Sequence, residues 1–221
     1  MQRTSLDDHD EQAWRAFLQQ AGEVIGRAIT PEQESALRIY VADLQLWNQR
    51  INLIGPGGMA HLLTRHMLDS LFLARFMVGL ERVADLGSGA GFPGLILAAC
   101  GEVDQRMDLV ESVQKKARFL EHVVARMGLV ARVRVLHARA ESLTAEGPYD
   151  GALSRALGNL ALGARLALPL LREKGVYLTL KGRRYSEDVA HYLQDPVSRS
   201  YAPPEVVELG EANVLIRVER R

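Results

Sequence analysis

The residues best equipped for chemistry lie in one stretch, Asp85-Leu86-Gly87-Ser88-Gly89-Ala90-Gly91-Phe92-Pro93-Gly94. Its four glycines let the backbone approach a ligand closely. Pro93 suits the start of the apolar helical run that follows, where free amides favour negative charge. The apolar run Arg82 to Leu86 leads in, so the order is strand, glycine loop, helix. That order accommodates a nucleotide-like ligand, and a tight turn before a core helix is the plainer alternative.

The loop by itself leaves the ligand open. Gly89-Ala90-Gly91-Phe92-Pro93-Gly94 fits the G-x-G-x-x-G spacing of dinucleotide enzymes, and Glu111 stands where a ribose-binding acid belongs, so an NAD-dependent oxidoreductase has to be weighed. Three features favour S-adenosylmethionine instead: Asp85 two residues before Gly87, Glu141 after the third strand, and the polar Asp150 to Arg155 segment around the fourth. No second domain for a hydride acceptor is evident. On this reading Glu111, with Ser112 beside it, accepts hydrogen bonds from the ribose hydroxyls. Gly87 and its neighbours meet the methionine moiety through backbone groups, with Asp85, Gly89 and Gly91 among the candidate cofactor contacts; Phe92 offers an apolar wall, and Ala140 and Glu141 meet the adenine edge. Arg155 follows a strand directly and could hold either the cofactor carboxylate or the target nucleotide.

Outside the loop, His66, Asp69 and Ser70 share one face of a helix. A polar network locking the N-terminal helices to the rest and a direct substrate contact are equally good readings of them. Arg139, Lys181, Arg183 and Arg184 follow strand ends on the ligand side, and Lys115 and Lys116 open the next helix there. Clustered, they form a candidate surface for the phosphates of a polyanion. The 27 basic and 27 acidic residues cancel to a formal net charge of zero, so any polyanion binding must be local. No Ser-His-Asp or metal-ligand spacing stands out.

The elements that position these groups fall into two parts. Residues 1–80 read as a helical extension packed on the core. Trp14, Phe17, Leu18 and Ala21 recur at helical spacing. Thr30-Pro31-Glu32-Gln33 forms a capping box with Pro at the first position, ahead of a stripe of Leu37, Tyr40, Val41, Leu44, Trp47 and Ile51. Asn52 to Gly58, with Pro56, breaks that helix, and a third is expected from Met59 to Phe76. Residues 81–221 read as a Rossmann-like α/β domain, with strands at Arg82 to Leu86, Met107 to Glu111, Arg132 to His137, Gly151 to Ser154 and Val176 to Leu180, and helices between. Val206 to Leu209 and Asn213 to Glu219 suggest a closing hairpin. The lone Cys100 lies in an apolar run and reads as buried. The polar, acidic first residues and the lack of a long apolar segment point to the cytoplasm, with no membrane attachment.

Taken in order, His66-Met67-Leu68-Asp69-Ser70-Leu71, the loop Asp85 to Gly94, Val110-Glu111-Ser112 followed by Lys115-Lys116 and Phe119-Leu120, Ala138-Arg139-Ala140-Glu141, Ser154-Arg155-Ala156 and Leu180-Lys181-Gly182 carry a family likeness. From about Leu46 through Gly182 the chain closely resembles the ribosomal RNA small-subunit methyltransferase G family, also called glucose-inhibited division protein B. The resemblance implies a class I methyltransferase fold with a mostly parallel seven-stranded sheet. It implies methyl transfer from S-adenosylmethionine to N7 of one guanine in the 530 loop of bacterial 16S rRNA. It also implies cofactor contacts at Gly87, Phe92, Ala140, Glu141 and Arg155. The expected partner is 16S rRNA or the small ribosomal subunit, met by a monomer; another RNA or a small molecule is the alternative acceptor. Ile54 and the pair Ala212-Asn213 depart from the residues common in the family.

Guanine N7 is an unprotonated lone pair, so the chemistry calls for alignment rather than a general base. N7 faces the deep, narrow major groove of A-form RNA, so the target guanine is expected to be unpaired.

Overall fold

A computed structural model of the 221-residue chain describes residues 8–55, 57–101, 105–143, 146–209 and 213–221. Seven strands form one sheet: β1 (Arg82–Leu86), β2 (Arg106–Glu111), β3 (Val133–His137), β4 (Tyr149–Arg155), β5 (Leu171–Lys181), β6 (Glu205–Glu208) and β7 (Val214–Glu219). Their order is β3-β2-β1-β4-β5-β7-β6. The first five strands pair in parallel, while β7 runs antiparallel to both β5 and β6.

Strand periodicity divides the core between the two faces of this sheet. Val83, Leu109, Leu153 and Leu178 point into one apolar cluster; their neighbours Ala84, Val110, Ala152 and Tyr177 point into the other. The first cluster takes in α1 (Asp8–Ile25), α2 (Pro31–Asn48), α4 (Gly94–Cys100) and α5 (Gln114–Arg126). The second takes in α6 (Leu160–Ala167) and α7 (Tyr185–Gln194). Trp14, Phe17, Leu37, Tyr40 and Leu44 are all buried, so the N-terminal helices share a core with the sheet. No described helix is long and apolar enough to cross a membrane.

Local signals and structure agree closely at α2. The Thr30 hydroxyl accepts from the Gln33 amide and the Gln33 side chain accepts from the Thr30 amide, a reciprocal cap over a helix that starts at Pro31. Cys100 is buried, and so is Ile54, whose amide donates to Asn48 Oδ1 at 2.9 Å. Pro56 and Ala212 lie outside the described residues.

Three expectations need correction. The helix expected from Met59 to Phe76 is composite: a 3₁₀ turn at Met59–His61, a π-helical turn at Leu62–Met67, the short α3 (Leu68–Leu71) and a 3₁₀ turn at Phe72–Phe76. Apolar periodicity cannot separate these, because each carries side chains on one face at similar spacing. Strand β4 begins two residues earlier than expected, where Tyr149 pairs with Leu171 beside a register shift. Strand β5 begins five residues earlier, and its added portion contains Lys174 at φ 62, an irregularity that hides the period of two.

Candidate active site

Strand order reverses between β1 and β4: from β1 the chain moves outward to β2 and β3, then returns on the other side. A crevice opens beyond the carboxyl ends of strands at such a switch point. The residues delivered there are Asp85 and Leu86 from β1 and Ser154 and Arg155 from β4.

The glycine loop leaves β1 under tight control. The amides of Gly87 and Ser88 both donate to the Val110 carbonyl, at 2.9 and 3.0 Å. Gly87, Gly89 and Gly91 adopt φ of 74°, 57° and 100°, a region that L side chains rarely enter. Asp85 is fully buried at the floor. Its Oδ2 accepts from the Gly94 amide at 3.1 Å, while Oδ1 is buried without any hydrogen-bond partner. Burial pushes the Asp85 carboxyl up to about 7, against the pull of the Gly94 amide. An orphaned buried acceptor is costly, and its place at the end of β1 suits a ligand that brings a cationic donor.

Glu111 occupies the expected strand end, but its carboxylate already has work inside the fold. Oε2 accepts from the Gly89 amide at 2.9 Å and Oε1 from the Val113 amide at 2.7 Å, bracing the β1 and β2 loops against each other. A carboxylate offers about four acceptor sites, so two remain for ribose hydroxyls. Ser112 is exposed beside it, and its carbonyl meets His137 Nε2 at 3.2 Å. Ala140 and Glu141 stand in a 3₁₀ turn after β3, the first half-buried and the second exposed.

The second half of the site joins β4 to the composite helix. Arg155 donates to the Arg65 carbonyl at 2.7 Å and the His66 carbonyl at 3.3 Å, and lies 3.7 Å from Asp69 Oδ2. Ser70 Oγ also donates to the His66 carbonyl, at 2.6 Å. These carbonyls belong to the π-helical turn, which closes with the Leu68 amide donating five residues back to Leu63. Such turns are rare and tend to occur at functional sites. His66 stacks on Phe92 with ring centroids 5.2 Å apart, Arg155 sits 5.9 Å from the same ring, and Tyr40 meets it edge-on at 5.8 Å. Phe92 is therefore enclosed by three elements.

Charge in this cluster is set by burial. Burial, followed by the neighbouring Arg155, His61 and Arg65, drives His66 down to about 4, so its ring is neutral near pH 7. Burial raises Asp69 to about 6, with Arg155 and Arg65 pulling the other way. Asp69 is ionised at neutral pH and offsets the Arg155 charge.

The cations proposed for RNA separate into two kinds. Arg139, Lys115, Arg183 and Arg184 are exposed, and Lys116 is half-buried. Lys181 differs: its ammonium donates to the Gly158 carbonyl at 2.6 Å and pairs with Asp188 at 2.8 Å, with a side chain only 11% exposed. Asp188 also accepts from the Leu160 amide at the start of α6, so Lys181 belongs to an internal bracket between β5, α6 and α7.

Sequence reasoning missed several participants. Tyr40 appeared only as part of the α2 stripe, yet its hydroxyl donates to the Ala90 carbonyl in the glycine loop at 2.8 Å. Asn213, at the head of β7, donates to Asp69 Oδ2 at 2.7 Å across a separation of 144 residues. Leu157 lies against the glycine loop, where a Cβ on Gly87 would meet its Cδ1 at 2.9 Å. Tyr40 carried a local signal, a lone polar group in an apolar stripe, and Asn213 stood out only as part of a pair that departs from the residues common in the family.

Sheet order, glycine loop and strand-end acids together define a class I methyltransferase. The same fold occurs in a SAM-dependent O-methyltransferase of Thermotoga maritima, with a TM-score of 0.57 at 16% identity, covering 82% of this chain and 71% of that one. It recurs in the tRNA (m1A58) methyltransferase TrmI of Aquifex aeolicus, with a TM-score of 0.56 at 17% identity, covering 69% of this chain and 68% of that one. The model of the GidB family, rRNA small subunit methyltransferase G, matches residues 33–216. The ribosomal RNA small subunit methyltransferase G of Herminiimonas arsenicoxydans is 33% identical over 214 residues, covering 96% of this chain and 98% of the relative. That of Stenotrophomonas maltophilia (strain K279a) is 38% identical over 180 residues, covering 81% and 83%. The chain belongs to the rRNA small subunit methyltransferase G family and is a methyltransferase, which removes the dinucleotide oxidoreductase reading of the glycine loop.

Proposed function

We propose that this chain transfers a methyl group from S-adenosylmethionine to N7 of a single guanine in the 530 loop of 16S rRNA, and that residues 1–80 are an extension completing the catalytic domain 81–221. The cofactor reading rests chiefly on Asp85, whose buried Oδ1 lacks a donor that the cofactor's ammonium group would provide. The remaining contacts follow from position: Gly87 to Gly91 beside the methionine moiety, Glu111 and Ser112 toward the ribose, Ala140 and Glu141 toward the adenine, and Arg155 toward the carboxylate or the target nucleotide.

When bound, the cofactor supplies an electrophilic methyl on a cationic sulfur. The protein's own residues do the rest by positioning, since N7 presents a lone pair with no proton to remove. Phe92, held by His66 and Tyr40, gives the pocket an apolar wall that excludes water. The neutral His66 ring adds no positive charge, and Asp69 balances Arg155. The exposed cations Arg139, Lys115, Arg183 and Arg184 supply phosphate contacts around the crevice.

Incubation with labelled S-adenosylmethionine and small subunits or 16S rRNA lacking the modification tests this, with tRNA and large-subunit RNA as controls. Label confined to 16S rRNA is the expected result. Cofactor binding with label on a different RNA, or on none, would overturn the substrate assignment and retain the class.

A further inference from the structure

The hairpin β6-β7 lies at the far edge of the sheet from the β2 and β3 strand ends, yet one of its residues reaches the site. Asn213 stands at the head of β7, and its carbonyl accepts from the Leu209 amide at 2.9 Å, which fixes the backbone where the hairpin closes. Its half-buried side chain donates to Asp69 Oδ2 at 2.7 Å, the oxygen that also faces Arg155 Nη2 at 3.7 Å. A carboxylate only accepts, so the amide nitrogen is the group turned toward it.

We propose that Asn213 is a positioning residue for methyl transfer: its amide holds Asp69 as a carboxylate aimed at Arg155, and so fixes the Arg155 guanidinium beside Phe92. This rests on the methyl-transfer reading given above. The physical basis is that Asp69 is largely buried, with a side chain 10% exposed, in surroundings that disfavour its charge. The charged and titratable groups around it are Arg155 from β4 and Arg65 and His66 from its own helical segment. From the position just before β7 the neutral Asn213 donor adds a short charge-assisted hydrogen bond. Two carbonyls, from Arg65 and His66, and the Asp69 carboxylate together set the plane of the guanidinium. Removing the Asn213 donor leaves the carbonyls but weakens the hold on the ionised carboxylate. Protonated, Asp69 loses its attraction for Arg155, and the two carbonyls alone are left to hold the guanidinium beside the Phe92 ring.

The test uses the full-length protein with Asn213→Ala and, as a second variant that retains a polar side chain, Asn213→Asp. The Asp69 carboxyl carbon is followed by ¹³C NMR against pH, alongside the pH dependence of methyl transfer to small subunits at saturating S-adenosylmethionine, where the Asp85 ionisation that governs cofactor affinity no longer sets the acid limb. With Asn213→Ala, the Asp69 midpoint and the acid limb of kcat/KM should both move up by about one pH unit, a tenfold change in ionisation. Asn213→Asp should move both further, because two neighbouring carboxylates resist double ionisation. A merely structural asparagine would lower the melting temperature and leave both midpoints in place. An unmoved Asp69 titration in both variants overturns the proposal, as does a moved titration with an unmoved acid limb. No methyl transfer by the unaltered protein at any pH would strike the functional reading instead, and the carboxyl titration would then decide whether Asn213 controls Asp69.

Discussion

Gly94 and Asp85 constrain each other at the floor of the site. The Gly94 amide donates to Asp85 Oδ2 at 3.1 Å, and a Cβ on Gly94 would stand 2.6 Å from Asp85 Cβ and 2.7 Å from that oxygen. No side chain larger than hydrogen fits there while Asp85 keeps its place. Gly94→Ala should therefore cost about 1–3 kcal/mol of stability through overpacking. It should also weaken cofactor binding, since Asp85 is the group displaced. Urea unfolding with an unchanged m-value checks the first effect, and calorimetric titration checks the second.

Asp85 also predicts a proton linkage. Its folded value of about 7 lies above the ordinary carboxyl value, so its contribution to stability without cofactor is present below about 4 and is lost as pH rises through 7. A cationic donor at Oδ1 favours the ionised form, so cofactor affinity should rise as pH increases toward 7 and binding should release a proton. Calorimetry in buffers of different ionisation enthalpy measures that release directly. Asp85→Asn should abolish the release and weaken binding by about 1.5–3 kcal/mol, the value of a hydrogen bond to a charged group.

Arg155 makes its three contacts through a planar fork, with two carbonyls and one carboxylate around it. Lysine presents a point charge on a flexible stem and cannot reproduce that arrangement. Arg155→Lys should lower kcat/KM for methyl transfer at least about tenfold, with a smaller effect on the melting temperature. Steady-state kinetics on small subunits, beside a thermal melt, separates the two.

The exposed and bracketed cations should behave differently on substitution. Arg183→Ala with Arg184→Ala should weaken RNA binding and lower the slope of log affinity against log salt by about one to two, leaving cofactor affinity unchanged. Lys181→Ala should instead cost about 1–3 kcal/mol of stability, because it strands Asp188 and the Gly158 carbonyl. Filter binding across a salt series and denaturant melts distinguish the two classes.

What the sequence disclosed was set by the range of the interactions involved. The glycine loop, the Thr30 cap and the alternating strands are local, written in residues a few positions apart, and the structure reproduces them. The family likeness pointed to Arg155, and helical spacing put His66, Asp69 and Ser70 on one face, but their mutual arrangement stayed open. That arrangement depends on the π turn, which places the Arg65 and His66 carbonyls before Arg155 and has no distinctive residue pattern. Lys181 shows the converse: its position after a strand suggested a phosphate contact, and the structure packs its ammonium against Asp188 and the Gly158 carbonyl. Asn213 and Asp69 meet only once the whole sheet is assembled, so no short window of sequence could pair them.

The most direct test of the central claim is to map the modified atom. Small subunits lacking the modification are treated with the protein and S-adenosylmethionine, and the 16S rRNA is reduced and cleaved with aniline, which breaks the chain at N7-methylguanine. A single new cleavage at one guanine of the 530 loop, absent without cofactor and slower to appear with Asp85→Asn at limiting cofactor, is the result predicted here. Methyl incorporation with no aniline-sensitive site, or with a site outside that loop, would contradict it.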